Sequence, residues 1–106
     1  MAYAIDFTPS AAAELNAIRP FDRRRVVEAI EDQLTHEPAL ASRNRKKLEG
    51  VTAPFDFDPP LWELRVGEWR VFYDVEPAAA AVVVRAVRRK PPDRTTQEVL
   101  DEAGDA

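Results

Sequence analysis

The sequence predicts an α+β domain with the order β-α-α-β-β-β and a short closing α-helix. In it a helix hairpin packs on one face of a mostly antiparallel four-stranded sheet. Three observations predict this. Val26, Ile30 and Leu34 recur at helical spacing in a segment whose other positions are charged. Two runs, Leu61–Val66 and Trp69–Val75, alternate apolar with polar around Gly67-Glu68. A third run, residues 81–87, is almost continuously β-branched, as a central strand buried on both faces would be.

The elements follow in order. Tyr3, Ile5 and Phe7 alternate with Ala4 and Asp6, which reads as a short strand. Thr8 is placed to cap a helix that Pro9 opens, with Ala11, Leu15 and Ile18 inward. That helix is expected to stop before Pro20, and Asp22 to cap the next one. Residues 36–60 form a proline-rich link, interrupted by one turn at Lys46-Lys47-Leu48-Glu49-Gly50 that Leu48 pins. Ala78 to Ala81 make a loose hairpin turn. Thr95-Thr96-Gln97-Glu98 has the capping-box pattern for a last short helix that Val99 and Leu100 dock weakly. The reading is one domain over residues 1–100, with 101–106 a frayed acidic tail.

With 106 residues, 45% hydrophobic and 32% charged, the chain supports one core and excludes wholesale disorder. It has no cysteine, hence no disulfide framework or thiolate metal site. The start lacks a signal-peptide pattern and no apolar run reaches membrane-spanning length, so a cytoplasmic protein without membrane contact is expected. The net charge of −4 argues against nucleic acid as a partner, but the charges are segregated. Arg85, Arg88, Arg89, Lys90 and Arg94 cluster, as do Arg43, Arg45, Lys46 and Lys47, while acids collect at Glu28–Asp32 and after Glu98.

Counting outward from a type II′ turn at Gly67-Glu68 fixes a register. Val66, Trp69, Leu64, Val71, Trp62 and Tyr73 share the core face, and Arg65, Arg70, Glu63 and Phe72 the other, taken as partly open. Arginines directly opposite each other are unfavourable without a nearby negative charge. Either the pair forms a phosphate site, for which guanidinium geometry is suited, or Glu63 satisfies Arg70 diagonally. His36, the sole histidine, reads as a cation at a helix C-terminus. Trp62, Trp69 and Tyr73 read as core, not as base-stacking platforms. Asp56 and Asp58 have carboxylate spacing but no third ligand, so no metal site is expected.

Four segments now carry a resemblance: Phe7-Thr8-Pro9-Ser10-Ala11, Lys46 to Gly50, Leu64-Arg65-Val66-Gly67-Glu68-Trp69-Arg70-Val71-Phe72-Tyr73, and Val84 to Lys90. In this order and spacing the chain resembles the RelE/ParE toxin superfamily over nearly its whole length. The resemblance implies a toxin of a type II toxin–antitoxin pair, held by a cognate antitoxin. It implies a ribosome-dependent, metal-independent mRNA endoribonuclease that uses the 2′-OH as nucleophile and needs no cofactor. Arg70 matches a catalytic-site arginine, and Lys90 or its neighbour Arg89 matches the basic residue after the last strand. Glu63 stands as candidate base. Arg65, Lys46, Lys47, Arg85, Arg88, Arg89 and Arg94 are candidate phosphate contacts, although a solvated loop accounts equally for Lys46 and Lys47. The chain departs from active relatives at Leu61 and Glu63, where lysines often stand, and at Thr95-Thr96, where a catalytic tyrosine can stand. These departures keep two alternatives open: a ParE-like gyrase inhibitor without catalysis, and an inactive member that only binds its antitoxin. If the sheet face is bare, an acidic antitoxin segment with apolar anchors is expected to cover it or to displace the last helix.

Overall fold

A computed structural model describes residues 1–102. Strand β1 (Ala4–Phe7) leads into helices α1 (Pro9–Asn16) and α2 (Pro20–Leu34). Strands β2 (Arg45–Lys47), β3 (Trp62–Val66), β4 (Trp69–Glu76) and β5 (Ala81–Arg89) follow, and then helix α3 (Thr96–Leu100). The sheet order is β1-β5-β4-β3-β2; β1 runs parallel to β5 and all other neighbours are antiparallel.

The sheet has five strands where four were expected. The additional one is β2, in the segment read as a turn. Arg45, Lys46 and Lys47 show no apolar alternation; they are a strand because they pair with Leu64, Glu63 and Trp62 of β3. Leu48, buried as expected, continues the pairing by donating its N–H to the Leu61 carbonyl at 2.9 Å. A short basic edge strand also discourages pairing with other chains.

The β3–β4 register is the one counted from the sequence, with Val66 opposite Trp69 and Arg65 opposite Arg70. Gly67 has φ +58° and Glu68 does not enter the positive region, the sign pattern of a type II′ turn. At the other end of β4, a 3₁₀ turn over Pro77–Ala79 and a left-handed Ala80 form the loose connection to β5.

On the near face, Val26, Ile30 and Leu34 of α2 and Ala11 of α1 pack with Leu64, Val71, Tyr73, Val82 and Val84. Trp62 and Tyr73 stack there at 6.3 Å between ring centroids. Trp69 is only partly buried against this core. Thr8 caps α1 as expected, its hydroxyl accepting the Ala11 N–H at 3.1 Å. The start of α2 differs. Pro20 is its first residue, where a missing N–H costs nothing, and Arg19 is the N-cap. Asp22 therefore lies in the first turn and accepts from Arg19 Nη2 at 3.1 Å instead of capping.

The far face is not open. Phe72 and Ala86 are buried under a second cluster made by Leu48, Leu61, Val99 and Leu100, with Val51, Ala53, Phe55 and Phe57 packed against it. The proline-rich link and α3 together roof this side of the sheet. Gln97 fastens one to the other: its Nε2 donates to the Thr52 carbonyl at 2.9 Å and its Oε1 accepts the Thr52 N–H at 3.1 Å. The capping box of α3 is present, with Thr95 and Glu98 each accepting the other's backbone N–H. Of the tail expected to fray, residues 103–106 lie outside the described residues.

Candidate functional site

Register places three arginines in one row across three strands. Arg65 of β3 faces Arg70 of β4, and Arg70 faces Arg88 of β5. Like charges so arranged must be separated, neutralised or wet. The structure uses all three means.

Arg65 is exposed and forms no ion pair among the described residues. Arg70, expected to project from an open face, is only 8% exposed. Its Nη1 donates to the carbonyls of Gly67 at 2.7 Å and Trp69 at 2.9 Å. Its Nε is buried without an acceptor and lies 3.9 Å from Glu63 Oε2. Burial pushes the Arg70 guanidinium below its ordinary pKa; Glu63 opposes that shift and Arg65 adds to it. Glu63 is 5% exposed, and its Oε2 also accepts from Thr96 Oγ1 of α3 at 3.3 Å. The diagonal Glu63–Arg70 pair is thus the arrangement adopted.

Arg88 is 6% exposed and fully engaged. Its Nε donates to Glu14 Oε2 at 2.9 Å, and its Nη1 reaches the carbonyls of Val99, Leu100 and Glu102 at 2.9 to 3.0 Å. It also stacks over the Phe55 ring at 5.6 Å. The expectation that α3 docks weakly is corrected: Arg88 donates to carbonyls at and just beyond its C-terminus, and Val99 and Leu100 are buried.

Arg85 sits at a β-bulge. Phe72 pairs with Ala86 and Tyr73 with Val84, so Arg85 is the extra residue and turns to the far face. There its Nε meets the buried carboxylate of Asp74 at 2.9 Å, and Asp74 also accepts the Asp58 N–H at 2.7 Å. Arg89 pairs with Glu68 at 3.3 Å and Arg94 with Glu102 at 3.5 Å, both partly exposed. Lys90 follows β5, half-buried, its backbone N–H donating to the Glu68 carbonyl at 2.7 Å.

The structure therefore brings Arg70, Glu63 and Thr96 together under α3. Glu63 also reaches a recess of about 350 Å³ at the β2–β3 edge, lined by Arg43, Lys46, Lys47 and Arg65. Lys47 is half-taken by Glu49 at 3.6 Å. Arg45 is not available, since it ties the link to α2 through Gln33 and the Leu40 carbonyl. Arg85 and Arg88 are held as counterions of Asp74 and Glu14. His36 is exposed beyond α2, whose C-cap is Thr35. Among the described residues no three acids, histidines or cysteines converge as for a metal.

Two residues that decide these outcomes were missed. Glu14 lies between Ala11 and Ile18 at spacings of three and four, which puts a carboxylate on the inward side of α1. Asp74 interrupts an apolar strand. An isolated acid on a buried stripe was the available signal.

A small α+β fold with a helix hairpin on one sheet face is the class that comparison with known structures returns. The toxin–antitoxin complex RelBE2 of Mycobacterium tuberculosis contains a chain with TM-score 0.66 and 24% identity, covering 85% of this chain and 100% of that one. The archaeal RelE–RelB complex of Pyrococcus horikoshii gives 0.66 and 22%, with 87% and 99% covered. The RelB–RelE complex of Methanococcus jannaschii gives 0.55 and 19%, with 79% and 88% covered. The family model described as ParE toxin of type II toxin-antitoxin system, parDE, matches residues 5–90. The chain belongs to this toxin family, within the RelE/ParE superfamily. No curated protein matches it. No helix among the described residues is long and apolar enough to cross a membrane.

Proposed function

We propose that the protein is the toxin of a type II toxin–antitoxin pair, neutralised by a cognate antitoxin, and that it poisons its target by binding, as a ParE-like gyrase inhibitor would. One observation carries the choice of target. Of the arginines in the cross-strand row that RNA cleavage would use, only Arg65 reaches solvent; Arg70 and Arg88 are buried and held inside the fold. A general base must come within hydrogen-bond reach of the 2′-OH, and Glu63 sits under Thr96 beside Arg70. The absence of lysines at Leu61 and Glu63 points the same way. The test adds purified protein to a gyrase supercoiling reaction. Loss of supercoiling supports the reading, and full supercoiling at saturating protein removes it.

A second reading, the metal-independent mRNA endoribonuclease acting on the ribosome, is favoured by the recess at the β2–β3 edge. There Arg43, Lys46 and Arg65 line the recess together with Glu63. Phosphate would bind the cations, and Arg70 would stabilise transition-state charge after α3 moved aside. Cuts within codons on translated messages, lost in Arg65→Glu with Lys46→Glu, would support it.

A further inference from the structure

Helix α2 carries its charges in an order that its own backbone opposes. Arg19 is its N-cap, and Arg23, Arg24 and Arg25 lie in its first half. Glu28, Glu31 and Asp32 lie in its second half, with no basic residue in the last turn. The backbone dipole favours acids at the start of a helix and bases at its end. Asp22 is the one acid in the first turn, and Arg19 and Arg25 both hold it. Arg23 turns back to the Asn16 and Ile18 carbonyls.

The remaining charges form a pattern. Val26, Ile30 and Leu34 are buried, whereas Phe21, Arg24, Arg25, Glu28, Glu31 and Asp32 are exposed. At about 3.6 residues per turn these six form a stripe opposite the buried one. Glu31 follows Arg24, and Asp32 follows Arg25, by about two turns or roughly 10 Å, each on the same side of the stripe. Arg24, Glu28, Glu31 and Asp32 form no ion pair among the described residues. Apolar side chains mark both ends. The large hydrophobics left exposed among the described residues are Met1, Phe21 and Leu40, at 53% to 90%. Phe21 stands at the start of α2. Met1 and Leu40 lie by its end, because Tyr3 donates its N–H to the Thr35 carbonyl at 2.7 Å and Arg45 donates to both the Leu40 and Gln33 carbonyls.

We infer that α2 is a self-association surface, on which a second copy of this chain packs its own α2 antiparallel about a two-fold axis near Glu28. Antiparallel pairing sets Arg24 beside Glu31 of the second copy and Arg25 beside its Asp32, and the symmetry doubles both pairs. It also carries Phe21 to the end of the other helix, where Met1 and Leu40 lie. The Glu28 side chains of the two copies meet near the axis, the one unfavourable contact. Parallel pairing would set like charges together along the whole stripe. A wholly acidic or wholly basic partner fits less well, since half of the stripe would repel it. One helix face is a small interface, so the dimer is weak, with a dissociation constant on the order of 100 µM. Since α2 covers the near face, the far face and the β2–β3 recess stay free, and the inference stands whichever target the toxin takes.

The test is sedimentation equilibrium of the purified protein up to millimolar concentration. The expected result is a monomer–dimer equilibrium whose dissociation constant rises at least about tenfold from low to high salt. Arg24→Glu with Arg25→Glu should abolish the dimer, and so should Glu31→Arg with Asp32→Arg. An equimolar mixture of the two variants should restore it as a heterodimer. Both reversals follow the helix dipole and give up only the loose Arg25–Asp22 pair at 3.7 Å, so the fold is retained, which thermal melts check. Glu28→Gln should tighten the dimer. The inference is overturned if the protein stays monomeric at millimolar concentration, if salt leaves the dimer unchanged, if either reversal leaves self-association intact, if the mixture fails to restore it, or if Glu28→Gln weakens it.

Discussion

Replacing Arg88 by methionine removes the guanidinium and keeps a stem of similar length over Phe55. Truncating one partner of a buried ion pair typically costs about 3–5 kcal/mol. Here Glu14 keeps one donor, the Val87 N–H at 3.1 Å, and its side chain is 12% exposed. The Val99, Leu100 and Glu102 carbonyls lose their common donor but gain water once α3 loosens. Both features place the loss at the lower end, about 3 kcal/mol. For a domain of this size that lowers Tm by roughly 10–25 °C. Urea denaturation of Arg88→Met against the parent chain measures it, and hydrogen exchange at the Val99 and Asp101 amides reports α3 directly. A loss below about 1 kcal/mol, with those amides still protected, would refute the assignment of Arg88 as the tie between α3 and the sheet.

Other substitutions separate burial from function. Arg70→Ala should destabilise by about 3 kcal/mol because it strands Glu63, whereas Glu63→Gln with Arg70→Met should be near neutral or stabilising in the same titration. Tyr73→Phe leaves the Pro38 carbonyl, now 2.7 Å from the hydroxyl, without its donor, and should cost about 1–2 kcal/mol in urea unfolding. Burial raises the Tyr73 pKa, so the folded state resists ionisation. Stability should be unaffected by this group below its ordinary value of 10.0 and fall as pH rises above it, a slope that Tyr73→Phe removes in pH-dependent melts. Thr95→Ala deletes the capping box and should cost about 1 kcal/mol, seen as faster exchange in α3.

The near face was legible because its signals are periodic. The spacing of Val26, Ile30 and Leu34, and the turn at Gly67-Glu68, specify one packed face and one register. The far face was not legible. Its roof is built from Leu48, the one apolar residue of the link expected to be pinned, from Val51, Phe55 and Phe57, single apolar residues without a periodic pattern, and from a five-residue helix. Without that roof, Arg65 opposite Arg70 leaves a phosphate site and a diagonal Glu63–Arg70 pair equally open. With it, the same register buries Arg70 against Glu63 and leaves Arg65 alone in water. The ion pairs of the 85–94 segment were not legible for a related reason: Asp74 and Glu14 reach Arg85 and Arg88 only through the strand pairing and the α1 crossing. Edge strand β2 lacked any apolar pattern because its pairing is a property of β3.

We propose that this toxin acts by binding its target and not by cutting RNA. Inducing the protein in bacteria without an antitoxin, and taking plasmid topology and message 5′ ends from the same arrested culture, tests this in one experiment. Action by binding predicts relaxed plasmid, intact translated messages and arrest that Arg70→Lys does not relieve. Normally supercoiled plasmid with new 5′ ends inside codons would contradict it.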